Sequence, residues 1–235
     1  MTMKLLAVDT SGPVCGVAVL TEQGIRYEAA AQNKLTHSVN LLPMIDAALA
    51  SSGLSLTGLD RLAVVTGPGS FTGVRLGVST VKGLAHGAGK PCVAVDALEA
   101  MAHGAGLFDG LVCPIQDARA GQVYGAVFSG DARHTRLMDD TPIKLEDYVD
   151  ALRTMGERFL FLGDGMPVHR ERLTELLGER AQIAPPPFAY LRPAVVAWLG
   201  AQSEAELDYL SLMPMYLRAP SAERNKKLME AAAHA

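Results

Sequence analysis

The chain has 235 residues, 49% hydrophobic and 20% charged, with a net charge of −4 at neutral pH. That length and apolar share exclude a disordered chain, and the acidic balance excludes a protein that grips nucleic acid through a broadly basic surface. The N-terminal apolar stretch is too short for a signal-peptide core and is broken by Asp9, and no run reaches membrane-spanning length, so a cytoplasmic protein is expected.

In chain order, Lys4–Thr10, Cys15–Thr21 and Ile25–Ala30 read as strands, the last two joined by a tight turn at Glu22-Gln23-Gly24. A helix from about Thr36 to Ser52 stops at Gly53. Leu62–Val65 reads as a buried strand and leads through Gly67-Pro68-Gly69-Ser70 into a helix running to His86. Ser70 or Thr72 is placed to cap that helix. Strand Pro91–Val95 leads into a helix capped by Asp96, with Glu99 three positions on. The order is βββαβαβα. Leu111–Asp117, Val123–Ser129, Thr135–Leu145, Glu146–Met155, Arg158–Leu162, His169–Leu177, Ala181–Ala184 and Pro193–Gln202 repeat it. The fold class expected is α/β, two duplicated lobes at 1–106 and 107–235, each a mixed five-stranded sheet. The matching strand ends are Ala-Val-Asp-Thr-Ser at 7–11 and Ile-Gln-Asp-Ala-Arg at 115–119, pairing Asp9 with Asp117.

Two helices are unusual. Gly73, Gly77 and Gly83 interrupt the second, at a cost of about 2–3 kcal/mol against alanine, which close approach of another helix would offset. The first is apolar on two sides: Val39, Leu42, Ile45 and Leu49 make one stripe, and Leu41, Met44 and Ala48 make another. One sheet cannot cover both, so a partner is expected on the second stripe. Pro43 should kink this helix. Cys15, Cys92 and Cys113 lack metal-ligand spacing and read as buried thiols.

These pieces together resemble one family. Leu-Ala-Val-Asp-Thr-Ser at 6–11, His37 to Pro43, Gly-Pro-Gly-Ser-Phe-Thr-Gly-Val-Arg at 67–75, Asp117-Ala118-Arg119 with Gln122-Val123-Tyr124, and Pro214 to Arg218 are similar to the TsaB (YeaZ) family of tRNA threonylcarbamoyladenosine biosynthesis. The resemblance implies an actin-like (ASKHA, RNase H-like) fold and a catalytically silent paralogue of TsaD. The implied partners are TsaD and the small ATPase TsaE, in threonylcarbamoylation of the adenosine at position 37 of tRNAs reading ANN codons. It further implies that tRNA is met only through the complex and that no cofactor or membrane is involved.

The silent reading follows from departures. TsaD carries a His-x-x-x-His metal pair after the matching strand, and those positions here are Ala97 and Met101, which hold no metal. His37 and His103 are read as a helix-start or interface residue and a surface residue. The first phosphate turn keeps Asp9 but displaces its glycine, and Arg119 crowds the second. The interface expected comprises His37, Leu41, Met44, Ala48, Gly73, Arg75, Gly77 and Lys82, the same surface pairing two copies of the chain when it is alone. The alternatives are a divergent actin-fold ATPase or metallopeptidase-like enzyme, and a tRNA-binding module using Arg192, Arg218, Arg224, Lys226 and Lys227.

Overall fold

The computed structural model describes residues 3–33 and 35–218; Arg224, Lys226 and Lys227 lie outside them. The first half runs β1 (Leu5–Asp9), β2 (Cys15–Thr21), β3 (Gly24–Ala31), α1 (His37–Ser52), β4 (Arg61–Gly67), α2 (Phe71–Ala88), β5 (Cys92–Asp96) and α3 (Ala97–Gly104). The second repeats it as β6 (Leu111–Arg119), β7 (Gln122–Ser129), β8 (Arg136–Lys144), α4 (Leu145–Met155), β9 (Phe159–Leu162), α5 (Met166–Leu177), β10 (Ala181–Ile183) and α6 (Pro193–Gln202). The sheet orders are β3-β2-β1-β4-β5 and β8-β7-β6-β9-β10. In each, the first strand is antiparallel to the second and parallel to the fourth. The two duplicated mixed five-stranded sheets expected from the sequence are present.

Three cores hold this arrangement. Leu6, Val8, Leu62 and Val64 pack under α1 and α2, while Cys113, Ile115, Phe159 and Phe161 pack under α4 and α5. The third core lies between the sheets and joins Leu5, Ala7, Ala63 and Val65 of the first to Val112, Ala126 and Phe128 of the second. Its filling is reciprocal: α3 packs on β6 and β7, and α6 packs on β1, β2 and β4. Gly200 makes the α6 approach possible, because a β-carbon there would stand 2.6 Å from Ala63 Cβ. Cys15, Cys92 and Cys113 are buried free thiols, as expected.

The face pattern corrects one sequence match. Leu6 and Val8 of β1 face their helix pair, as Cys113 and Ile115 of β6 face theirs. Superposing those residues carries Asp9 onto Gln116 rather than Asp117. Strand periodicity of two puts neighbours on opposite faces, so a shift of one residue changes which side chain reaches the space between the lobes.

Candidate partner interface and inter-lobe cleft

Helices α1 and α2 lie side by side on the outer face of the first sheet. On α1 the inward stripe is Leu41, Ile45 and Ala48, none more than 2% exposed. Leu41 and Ala48 therefore belong to the core of their own lobe and offer nothing to a partner. Met44 is half-buried against the same core. The uncovered apolar surface comes from Leu35, Val39 and Leu42, at 55%, 56% and 53% exposure. Pro43 and Asp46 share this side, and α1 continues through Pro43 to Ser52 without ending. The hydrogen bond that proline removes is on solvated backbone.

The glycines of α2 divide the same way. Gly73 is buried against the Thr10 carbonyl, and a β-carbon on Gly77 would meet Thr10 Oγ1 at 2.5 Å. Thr10 Oγ1 in turn donates to the Gly73 carbonyl at 2.7 Å. The close approach that offsets the cost of these two glycines is thus α2 on the end of β1, inside the lobe. Gly83 instead opens on empty space, on an exposed line with Thr72, Arg75, Ser79 and His86. Ser70 is the helix cap, accepting from the Gly73 amide at 3.3 Å.

His37 is half-buried, its Nε2 2.9 Å from the Gly12 carbonyl. Arg75 and Lys82 bind residues 203–218, which strap the first lobe and of which the sequence singles out only Pro214 to Arg218, through the family resemblance. Leu207 pairs with Cys92, and Leu212 enters the core. Lys82 Nζ donates to the Leu212 and Leu210 carbonyls at 3.0 and 3.3 Å. Arg75 Nε donates to the Tyr216 hydroxyl, and its guanidinium lies 4.1 Å from the Phe71 ring centroid. Leu210, Met213 and Tyr216 are left exposed along the strap.

The strap ends at a cleft of about 710 Å3 between the lobes, lined by Gly69, Ser70, Gln116, Asp117, Asp164 and Arg218 among others. The chain turns that border it are bonded within themselves and to one another. Asp9 is buried, and its Oδ1 accepts from the Ser11 amide and hydroxyl at 2.8 and 2.7 Å. Burial raises its pKa. Gly69, at φ 157°, lies against the Ser11 carbonyl, which accepts from the Ser70 amide at 2.7 Å. Asp117 Oδ1 accepts from the Arg119 amide at 3.0 Å and lies 3.4 Å from His169 Nε2 on α5. Arg218 Nη1 donates to the Ala118 carbonyl. Burial also pushes the Asp164 carboxyl up to about 6.

Ala97 and Met101 are buried in the core between the sheets. His103 is not on the open surface: its ring lies 4.6 Å from that of His134 and 5.2 Å from that of Trp198, and burial pushes it down to about 4. Among the described residues no group of three or more His, Cys, Asp or Glu is placed to hold a metal, and no helix is long and apolar enough to cross a membrane. Arg192 is tied to Glu28, with Nη2 2.5 Å from Oε2.

Residues 20–226 match the family model described as "TsaD: tRNA N6-adenosine threonylcarbamoyltransferase". The chain is 35% identical over 222 residues to the tRNA threonylcarbamoyladenosine biosynthesis protein TsaB of Bacillus subtilis, covering 94% of this chain and 96% of that one. It is 40% identical over 133 residues to the TsaB of Escherichia coli, covering 55% and 56% of the two chains. A solved Pseudomonas aeruginosa protein described as similar to peptidase YEAZ superposes with a TM-score of 0.75 at 26% identity, over 93% of this chain and all of that one.

Proposed function

The chain belongs to the TsaB (YeaZ) family of tRNA threonylcarbamoyladenosine biosynthesis proteins, and from that premise we propose that it acts there as a non-catalytic partner of TsaD. The observation that carries the reading is the uncovered apolar stripe of Val39 and Leu42 on α1 with Leu35 just ahead of it, beside the exposed line through Arg75, Ser79 and Gly83 on α2. Apolar side chains next to a bare glycine backbone suit the close crossing of helices from another chain. TsaD, as the paralogue with matching helices, is the occupant, and TsaE joins the pair. Without TsaD, two copies of this chain pair through the same stripe. Transfer of threonylcarbamoyl to the adenosine at position 37 of tRNAs reading ANN codons is then chemistry of the complex in the cytoplasm, with tRNA held through TsaD.

A silent role fits the interior. Ser11 donates to Asp9, the Ser70 amide is taken up by the Ser11 carbonyl, and the metal-pair positions carry Ala97 and Met101. The test is light scattering after size exclusion on this chain, TsaD and their mixture, with Val39→Asp and Leu42→Asp. The mixed complex and the self-pair are expected for the unaltered chain and lost in both variants at unchanged thermal stability. Failure of the unaltered chain to bind TsaD sinks the reading.

A further inference from the structure

At the end of β5, the Asp96 carboxylate accepts from the Glu99 amide at 2.7 Å, capping α3. The same carboxylate meets the edge strand of the other sheet. Arg136 Nη2 lies 3.3 Å from Asp96 Oδ1 and 3.6 Å from Glu99 Oε2, while Nη1 holds Asp140 Oδ1. The guanidinium is seated on Phe128 of β7, 4.7 Å from the ring centroid. Three carboxylates from both halves of the chain therefore converge on one cation. The Asp96 and Asp140 side chains are only 17% and 9% exposed, so water does little to relieve the excess charge.

A second observation comes from Asp140 itself. Its Oδ2 is buried and no donor among the described residues reaches it, while its Oδ1 and Asp96 Oδ1 are held by the two ends of one guanidinium. Two ionised carboxylates gathered on one cation are both acceptors and repel. One proton between them turns the contact into a donor–acceptor pair, leaves two negative charges against Arg136, and supplies the donor Asp140 lacks.

We propose that Asp96 and Asp140 hold one proton between them, and that this pair, centred by Arg136, is a proton-gated clasp joining the α3 end of the first sheet to the edge strand of the second. The charged groups facing Asp96 are Glu99 from its own helix and Arg136 and Asp140 from β8; β4 brings Gly67 to this strand end, and β7 brings Phe128. Burial first, then Asp140, pushes the Asp96 carboxyl up to about 8. The folded state thus keeps a proton that the unfolded chain gives up far lower, so the clasp weakens as pH rises between the two values and stays weak above the higher one.

The test follows unaltered protein and Asp140→Asn from about pH 6 to pH 10, by aspartate carboxyl 13C resonances and by amide exchange expressed as protection factors. In the unaltered protein the Asp96 resonance is expected to titrate far above the ordinary aspartate range. The amides of α3 and β8 are expected to lose protection together as pH rises toward the Asp96 midpoint, by about tenfold per pH unit, and to level off above it, which marks a gated local opening. In Asp140→Asn the carboxamide donates permanently to Asp96, and protection stays level. An Asp96 resonance with an ordinary midpoint overturns the shared proton. Level protection in the unaltered protein, or an equal loss in Asp140→Asn, overturns the gating. Should Asp140→Asn fail to fold, the resonance and exchange curves of the unaltered protein decide both points.

Discussion

Gly77 on α2 and Thr10 at the end of β1 are pressed together so closely that a β-carbon on the glycine would stand 2.5 Å from the threonine hydroxyl oxygen. That hydroxyl is held by its bond to the Gly73 carbonyl, so it cannot swing aside freely. Gly77→Ala is expected to lower stability by about 1–3 kcal/mol, the usual range for overpacking a tight core. Gly83→Ala, into open space in the same helix, is expected to raise it by about 0.5–1 kcal/mol through helix propensity. Urea denaturation of the two variants checks the pair; equal effects would show that the glycines are not divided between the inside and the outside.

The two stripes of α1 separate stability from association. Leu41→Ala empties a fully packed position and is expected to cost about 2–5 kcal/mol. Leu42→Ala, one residue on and exposed, is expected to change folding stability by less than about 0.5 kcal/mol. Its effect belongs to TsaD binding, with a loss of about 1 kcal/mol or more in Kd if the stripe is central. Thermal melts beside calorimetric titration with TsaD distinguish the two.

Lys82 pins the strap by donating to two carbonyls. Lys82→Met keeps most of the side-chain length but leaves the Leu210 and Leu212 carbonyls without that donor. It is expected to cost about 1–2 kcal/mol and to expose the strap to proteolysis. Limited digestion with chymotrypsin should cut earlier near Tyr209 and Leu210 than in the unaltered protein. An unchanged digestion pattern would mean that Leu212 burial alone holds the strap.

Burial raises the Asp164 carboxyl from 3.8 to about 6. The folded state therefore binds more protons than the unfolded chain between those values, so stability falls as pH rises through that window and stays lower above it. Asp164→Asn removes the charge and is expected to gain on the order of 2 kcal/mol at neutral pH, a gain that fades toward pH ~4. Melting temperatures across that range test the sign. A constant difference at every pH would detach the effect from titration.

Element order was legible because turn residues and apolar periods agree: Gly24, Gly53 and Gly163 mark ends, and the strands are continuous apolar runs. That α1 carries apolar residues on two sides was visible, but the stripes were divided wrongly: Ile45 and Leu49, grouped with Val39 and Leu42, pack with Leu41 and Ala48 on the inward side. Asp46 and Pro43, on the side of Val39 and Leu42, were the available signal, since a charge and a lost backbone hydrogen bond both favour water. The match of Asp9 with Asp117 compared letters and was one residue out of register, because alternation in a strand depends on parity rather than on similarity. The strap ahead of Pro214 was hidden for another reason. It bonds mainly through backbone carbonyls and lone anchors such as Leu207 and Leu212, which leave no periodic pattern.

The exchange of α3 and α6 between the sheets carries a consequence for synthesis. Residues 5–96 form a whole sheet with α1 and α2 on one face, but the opposite face waits for Pro193–Gln202. While the ribosome is still making the second half, Leu5, Ala7, Ala63 and Val65 have no helix to cover them. The nascent first half thus spends most of the remaining elongation time with an apolar sheet face open, at roughly 5–20 residues per second. Chaperone demand should therefore peak late in translation and end once Gly200 has emerged and seated on Ala63.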